Sequence, residues 1–474
     1  MSLHLRSRYC LVLLLLAGFV FSGFQERQTA DQYPDILEHF KYGSIGAEER
    51  SGIPYWIWKV LPDVFPEHVP RRPLGKGYAR FGWVFESESH ARPIGASYQN
   101  RMVPLVGVNC AVCHTGTLRE NPAGQRRIVL GMPSHQFDFQ SYFRFLVACA
   151  RDPRFESATL AAIRQANPKF SWFDGLLYRF FVIDRTRAGI LEQARVFAWS
   201  ESRPLQGPGR VDTFNPYKQM FGFDMKLDTT VGTADLPSLW NQQIREGLWL
   251  HWDGNNSSVQ ERNKSAAIGA GASESSLDLA SMKRVEDWIW RLKAPGFPTE
   301  RIDPTLASLG KELYLQHCAA CHAPGGSNVG QVTPLEDIGT DPERLNSFSS
   351  ELAARMNTLG AGRSWQFTHF RKTQGYASLP LDGLWLRAPY LHNGSVPTLT
   401  DLLRPPAQRP AQFYRGHDVY DFERVGFVSD SADAAHEGFL FDTQQKGNRN
   451  YGHRYGTELS ESEKRKLLEY LKML

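Results

Sequence analysis

Cysteine is scarce in this chain. The 474 residues contain six, and four of them sit in two short motifs. A structural disulfide framework is therefore excluded. Cys10 lies in a leading apolar segment, and Cys149 stands alone in Phe145-Leu146-Val147-Ala148-Cys149, where a small buried helix residue is expected. Charge of one sign is lacking too. The net charge is only +4 and no Lys/Arg block stands out, so nothing argues for a nucleic-acid partner. The apolar run at 9–21 is short for a spanning helix. No methionine lies between Met356 and Met473, and no histidine within 211–236. These two gaps bear on which ligands an iron could find.

What is present is specific. Cys110-Ala111-Val112-Cys113-His114 and Cys318-Ala319-Ala320-Cys321-His322 repeat one pattern, 208 residues apart. Cys-x-x-Cys-His is the attachment signature of c-type haem. Two thiols must reach the two vinyl groups of one porphyrin, and the next imidazole must then meet the iron. A redox dithiol or half a zinc site would account for one copy; two copies, each closed by His, leave two covalent haems. His114 and His322 are the metal ligands, and Cys110, Cys113, Cys318 and Cys321 the attachment residues. The 12 Trp, 17 Tyr and 29 Phe suit the walls of a large flat ligand, although most should be ordinary core. With 42% hydrophobic and 22% charged residues, long disorder is not expected.

In chain order, residues 1–24 read as an export signal. His4, Arg6 and Arg8 form a basic end, the apolar run follows, and Ser22 and Gly23 close it. Cleavage is favoured over a retained inner-membrane anchor. Either way the protein is expected in the periplasm or outside the cell, where c-type haem is attached. Residues 30–109 look like an irregular lead-in, with a helix near 35–40. A long segment at 115–235 follows the first motif, with helices expected at 137–151, 157–166 and 175–182. It is an insertion that could wall a pocket or serve as scaffold. A further helix is expected at 281–292. Ala294-Pro295-Gly296-Phe297-Pro298 is the best inter-domain linker. From Asp303 the chain resembles a compact cytochrome c domain, with a helix at 306–316 before the motif. A terminal helix at 460–474 is capped by Ser460 and an acidic first turn. Gly310 is expected to let Tyr470 approach closely. The fold class is thus mainly α: two cytochrome c-type haem domains, 25–297 and 298–474, with long irregular loops and a large insertion in the first.

What each haem does depends on the side opposite its proximal His. For the second haem, His453 in Tyr451-Gly452-His453-Arg454-Tyr455 falls just before the terminal helix, where a compact cytochrome domain presents its distal ligand. His392, in Ala388-Pro389-Tyr390-Leu391-His392-Asn393-Gly394, is the other choice. For the first haem no distal ligand is evident. His135 and His251 are the nearby choices, and an open site is the favoured reading.

Two c-haem domains, with Trp252-Asp253-Gly254 between the motifs and Ala-Pro-Tyr-x-His-x-Gly after the second, resemble the bacterial diheme cytochrome c peroxidase superfamily. The chain looks most like its branch of extracellular rubber oxygenases, which cleave polyisoprene with dioxygen. The resemblance implies that Trp252 lies between the haems and relays electrons. It places His453 at the distal position of the electron-transfer haem, and His392 beside that haem without ligating it. It also admits a calcium ion between the domains, for which the chain has no dedicated acidic loop. The chain departs from the peroxidases in two ways. The Gly-His loop that supplies a removable distal His is missing. Ala270-Gly271-Ala272 stands where a proton-moving glutamate is expected, with Glu274 just beyond as the nearest candidate acid. The resemblance therefore implies an exported diheme oxidoreductase that uses dioxygen or peroxide on an apolar substrate. A peroxidase fed by a small redox protein and a non-catalytic electron carrier are the competing readings.

Overall fold

The structure is a computed structural model that describes residues 33–474; the expected export signal and Cys10 lie outside the described residues. The fold is mainly helical, and its sheets are two- or three-stranded. No helix among the described residues is long and apolar enough to cross a membrane.

The N-terminal half begins with the helix Ile36–Tyr42. Asp35 caps it by accepting from the backbone N–H groups of Leu37 and Glu38. A three-stranded antiparallel sheet follows, with Leu105–Val108 between Ile53–Pro54 and Ala96–Gln99. Its central strand leads directly into the first motif, as the sequence predicts. The helix Cys110–Cys113 is capped by Asn109 and ends on His114. A hairpin then pairs Thr115–Leu118 with Arg127–Leu130.

The insertion supplies four packed pieces: Phe139–Arg151, Phe155–Ala166, Trp172–Leu177 and Ile183–Val196, the last two joined by a π-helical turn at Tyr178–Val182. They bury Phe145, Cys149, Phe155, Ile163, Tyr178 and Ile183 against Trp58, Leu61 and Phe81 of the lead-in. Val112 belongs to the same cluster and Cys113 packs against it. The insertion is therefore a helical buttress behind the first motif. Cys149 is fully buried there, as expected.

In the C-terminal half, Pro304–His317 crosses the terminal helix Glu461–Leu471. Ser460 and Glu463 form the expected capping box. A Cβ at Gly310 would collide with the Lys466 carbonyl and lie 3.0 Å from Tyr470 Cβ. Only glycine allows this crossing, which also brings the Tyr314 and Tyr470 rings to 5.0 Å. The passage around Pro295 is irregular but inlaid. Phe297 is buried edge-on against Trp385, whose Nε1 donates to Pro295 O at 2.8 Å.

The two halves share a core. One cluster joins Leu118, Met132 and Trp240 to Tyr314, Trp385, Tyr420 and Leu467. A polar lock reinforces it. The fully buried Asp418 carboxylate accepts from Thr117 at 2.8 Å, Arg119 at 2.5 Å and Arg126 at 2.7 Å. Burial alone would push this carboxyl up. Arg126, Thr117 and Arg119 outweigh burial and hold it at about 2, against an ordinary 3.8. A depressed carboxylate pKa stabilises the fold fully above about pH 4 and loses that contribution as pH falls toward 2. Asp418→Asn should therefore cost roughly 2 kcal/mol or more at pH 7, because two arginines lose their counter-charge. It should also flatten the acid limb of the stability profile between pH 4 and 2. Denaturant unfolding across pH checks this, and a variant with the wild-type acid limb would refute it.

Candidate functional site

Each Cys-x-x-Cys-His motif is one helical turn, which sets its two thiols on one side and turns the histidine away at the end. The two histidines are held alike. His114 Nδ1 lies 2.7 Å from Pro237 O, and His322 Nδ1 lies 2.8 Å from Leu379 O. A carbonyl can only accept, so Nδ1 carries the proton and Nε2 is left as the basic, metal-ligating nitrogen. Burial pulls the His114 imidazole down to about 4; the Pro237 carbonyl opposes this and the Arg262 charge adds to it. Burial likewise lowers His322. Both imidazoles are thus neutral near pH 7, as a metal ligand must be. Burial raises the thiols of Cys110 and Cys318 to about 11 and that of Cys113 to about 12.

His322 faces a second imidazole. The rings of His322 and His453 are 6.3 Å apart between centres, tilted by 40°. A metal–imidazole nitrogen bond is about 2.0 Å and the ring centre lies about 1.2 Å further, so two trans imidazoles on one metal stand about 6.4 Å apart. The spacing fits an iron held from both sides. His453 is half-buried, its buried Nδ1 has no protein partner, and its backbone is in the left-handed region with φ +44°. Strained backbone of this kind gathers at functional sites. Arg409, which sequence reasoning missed, holds the loop in place. Its guanidinium donates to the carbonyls of Leu402, Asn450, Gly452 and His453.

His392 is fully buried and stacks on Tyr376 at 4.2 Å. The Tyr376 hydroxyl donates to Asp341 O, so His392 Nε2–H donates to the phenol oxygen at 3.1 Å. That nitrogen is committed within the protein. His392 O in turn accepts from the Asp235 backbone N–H at 2.9 Å.

Trp252 ties the two histidine supports together. Its Nε1 donates to Asp235 O at 3.0 Å, two residues before the Pro237 that holds His114. Its carbonyl accepts from Ala377 N–H at 2.8 Å, two residues before the Leu379 that holds His322. Asp235 is anchored by an ion pair with buried Arg415.

The first motif has no partner like His453 among the described ring contacts. The charge that acts on His114 is that of Arg262, on the helix Val259–Gly269, and the same charge acts on His251. Sequence reasoning missed Arg262; only its place one turn into the helix after Trp252-Asp253-Gly254 signals it. His251 is half-buried with φ +61°. Its Nδ1–H donates to Asn255 Oδ1 at 2.5 Å, and Asn255 is held by the fully buried Asp253. His135, the other nearby choice, follows Ser134, whose N–H donates to Cys113 O at 2.9 Å; it stacks on Phe427 at 3.8 Å, with both ring nitrogens buried and unpartnered. Glu274 is not brought into the buried set. It is a half-exposed surface carboxylate 4.0 Å from Arg363. Among the described residues, the three-residue group able to hold a cation is Glu67, His68 and Asp152, and Arg154 already bridges both of its carboxylates. It sits beside the insertion's helices and offers no support for a calcium ion between the halves.

Residues 375–415 match the family described as RoxA-like, cytochrome c-like. This stretch contains Ala377, Leu379 and His392, and the match supports the resemblance to the rubber-oxygenase-like diheme cytochrome c branch. In general terms it carries c-type haem binding and oxidoreductase chemistry. Two uncharacterised proteins of Sinorhizobium fredii are similar to the chain. With y4iJ it shares 26% identity over 83% of its own length and 84% of that protein. With y4iM it shares 33% over 46% of its length, a match spanning 56% of that relative.

The geometry separates His453 from His392. In the purified holoprotein, His453→Ala should abolish the low-spin iron signal of the second centre. His392→Ala should leave it in place. Electron paramagnetic resonance of both variants reads this directly, and the opposite pattern would hand the ligand role to His392.

Proposed function

We propose that the protein is an exported diheme c-type oxidoreductase. In this reading the haem on Cys110, Cys113 and His114 is where dioxygen or peroxide binds, and the haem on Cys318, Cys321 and His322 exchanges electrons. The observation that carries the reading is asymmetry. His322 has a facing imidazole at the spacing of a shared metal, whereas no ring contact of this kind is found for His114 among the described residues. Bound haem would supply an iron that passes electrons where two strong ligands hold it and binds small oxidants where one side is open.

The chain's own residues have definite parts in this scheme. Pro237 and Leu379 fix the tautomers of His114 and His322 and keep Nε2 available. Arg409 holds the His453 loop. Arg262 supplies a half-buried positive charge that acts on both His114 and His251. Trp252, hydrogen-bonded to both histidine supports, is the electron relay. The surface position of Glu274 weakens the peroxidase reading, because a general acid must lie within hydrogen-bond reach of the oxygen it protonates. Dioxygen with an apolar substrate is therefore preferred to peroxide reduction.

A specific observation supports a second reading, the electron carrier. His251 is half-buried, its Nδ1–H is committed to Asn255, and its Nε2 would be available as a distal ligand to the first haem. Resting-state electron paramagnetic resonance with a cyanide titration separates the two. The oxidoreductase reading expects one low-spin and one high-spin iron, with cyanide converting the latter. Two low-spin irons that ignore cyanide and carbon monoxide would leave the carrier.

Trp252→Phe tests the relay. Electron transfer between the haems after rapid reduction should slow by roughly tenfold or more, while both optical spectra stay as in the wild type. Unchanged transfer would reduce Trp252 to a packing residue.

A further inference from the structure

The insertion buttresses the first motif with one side only. Gly175, Tyr178, Ile183 and Ile190 face inward. The opposite side carries Trp172, Phe173, Phe180 and Phe181, which are 78%, 63%, 58% and 61% exposed, with Leu176 between them. These rings are not core residues that failed to find a place, because the same segment has already committed a separate stripe to the core. The π-helical turn Tyr178–Val182 sets Phe180 and Phe181 on the outside together. A contiguous aromatic face of this kind on a water-soluble surface marks an interaction site.

The surrounding charge identifies the occupant. Residues 164–187 contain five basic side chains and two acidic ones. Asp174 is spent in the capping box with Ser171, and Arg187 donates to Ala150 O. Arg164, Lys169, Arg179 and Arg185 remain exposed, and none of them is in an ion pair among the described residues. Arg179 lies over the Phe180 ring at 5.5 Å. Exposed aromatic rings in a stretch rich in unpaired cations, one of them over a ring, match a lipid headgroup layer, where Trp and Phe enter the interface and Lys and Arg meet anionic headgroups. An uncharged polymer would gain nothing from the four cations.

We propose that this face docks the protein on the surface of an anionic phospholipid bilayer, as a peripheral attachment that does not depend on the N-terminal apolar segment. The inference stands apart from the oxidoreductase reading, since neither haem takes part in it.

Co-sedimentation of the holoprotein lacking residues 1–24 tests it. The probes are phosphatidylcholine vesicles with and without about a third phosphatidylglycerol. The protein should pellet with the anionic vesicles, stay in solution with the neutral ones, and be released by high salt. The triple variant Trp172→Ser, Phe180→Ser, Phe181→Ser should bind about tenfold more weakly. Arg164→Gln with Arg179→Gln should bind weakly and lose the salt dependence. An unchanged haem absorption spectrum certifies that each variant is folded. Wild-type protein that ignores anionic vesicles, or a triple variant that binds like wild type, would overturn the proposal. So would binding to an apolar polymer emulsion in place of vesicles, which would make the face a substrate platform.

Discussion

Two backbone carbonyls set the terms for the rest of the site. Pro237 O and Leu379 O each take the Nδ1 proton of a motif histidine, and each lies far from its histidine in sequence. A Cys-x-x-Cys-His turn can form locally, but its imidazole is aimed only when a distant segment meets it. Both segments are short and irregular, so they need supports of their own. Trp252 supplies one to each: its indole N–H reaches the first, and its carbonyl receives the second. Hydrogen bonds through a single residue thus tie the two supporting segments to each other, within the core that the two halves share. A residue so placed is mechanically required whatever its electronic part, which is why its electron-transfer role is separable only by a substitution that spares both spectra.

Irregular segments present carbonyls that have no strand or helix partner, and buried carbonyls must be paired. This chain answers with arginine, whose planar fork offers five donors. Arg409 gathers the His453 loop. Arg415 joins Pro208 O and Gly394 O to Asp235. Arg344 pairs with Asp253 behind His251 and reaches Thr213. These arginines are buried, so their charges fall on the neighbouring histidines and depress them further. The same residues that give the loops their shape therefore also help keep the imidazoles neutral. Arginines standing in irregular sequence were a signal available from the start, but nothing local says which carbonyls they will meet.

The periodic and motif-bound parts were legible in the sequence. The helices at 137–151, 157–166 and 460–474 fall close to Phe139–Arg151, Phe155–Ala166 and Glu461–Leu471. The Gly310 approach to the terminal helix follows from one glycine opposite one aromatic. His453 could be ranked above His392 because a helix start fixes where its preceding loop can lie. The distal surroundings of the first motif were not legible in this way. His135 and His251 were equals by sequence distance, yet one stacks on Phe427 while the other is oriented by Asn255. Glu274 was reached by counting along a family pattern, and the chain turns toward the surface before it. Arg262 carries no motif at all; only the fold gives it influence over His114.

The insertion's two faces do different work. Its inward face backs the first motif through Val112 and Cys113, so that this side of the motif rests on a helical wall instead of a loop. Stiffness matters more here than at the second motif, where a facing histidine could share in holding the iron. If the first site is open, as proposed, it gets no such help, and its geometry depends on the helical wall behind it.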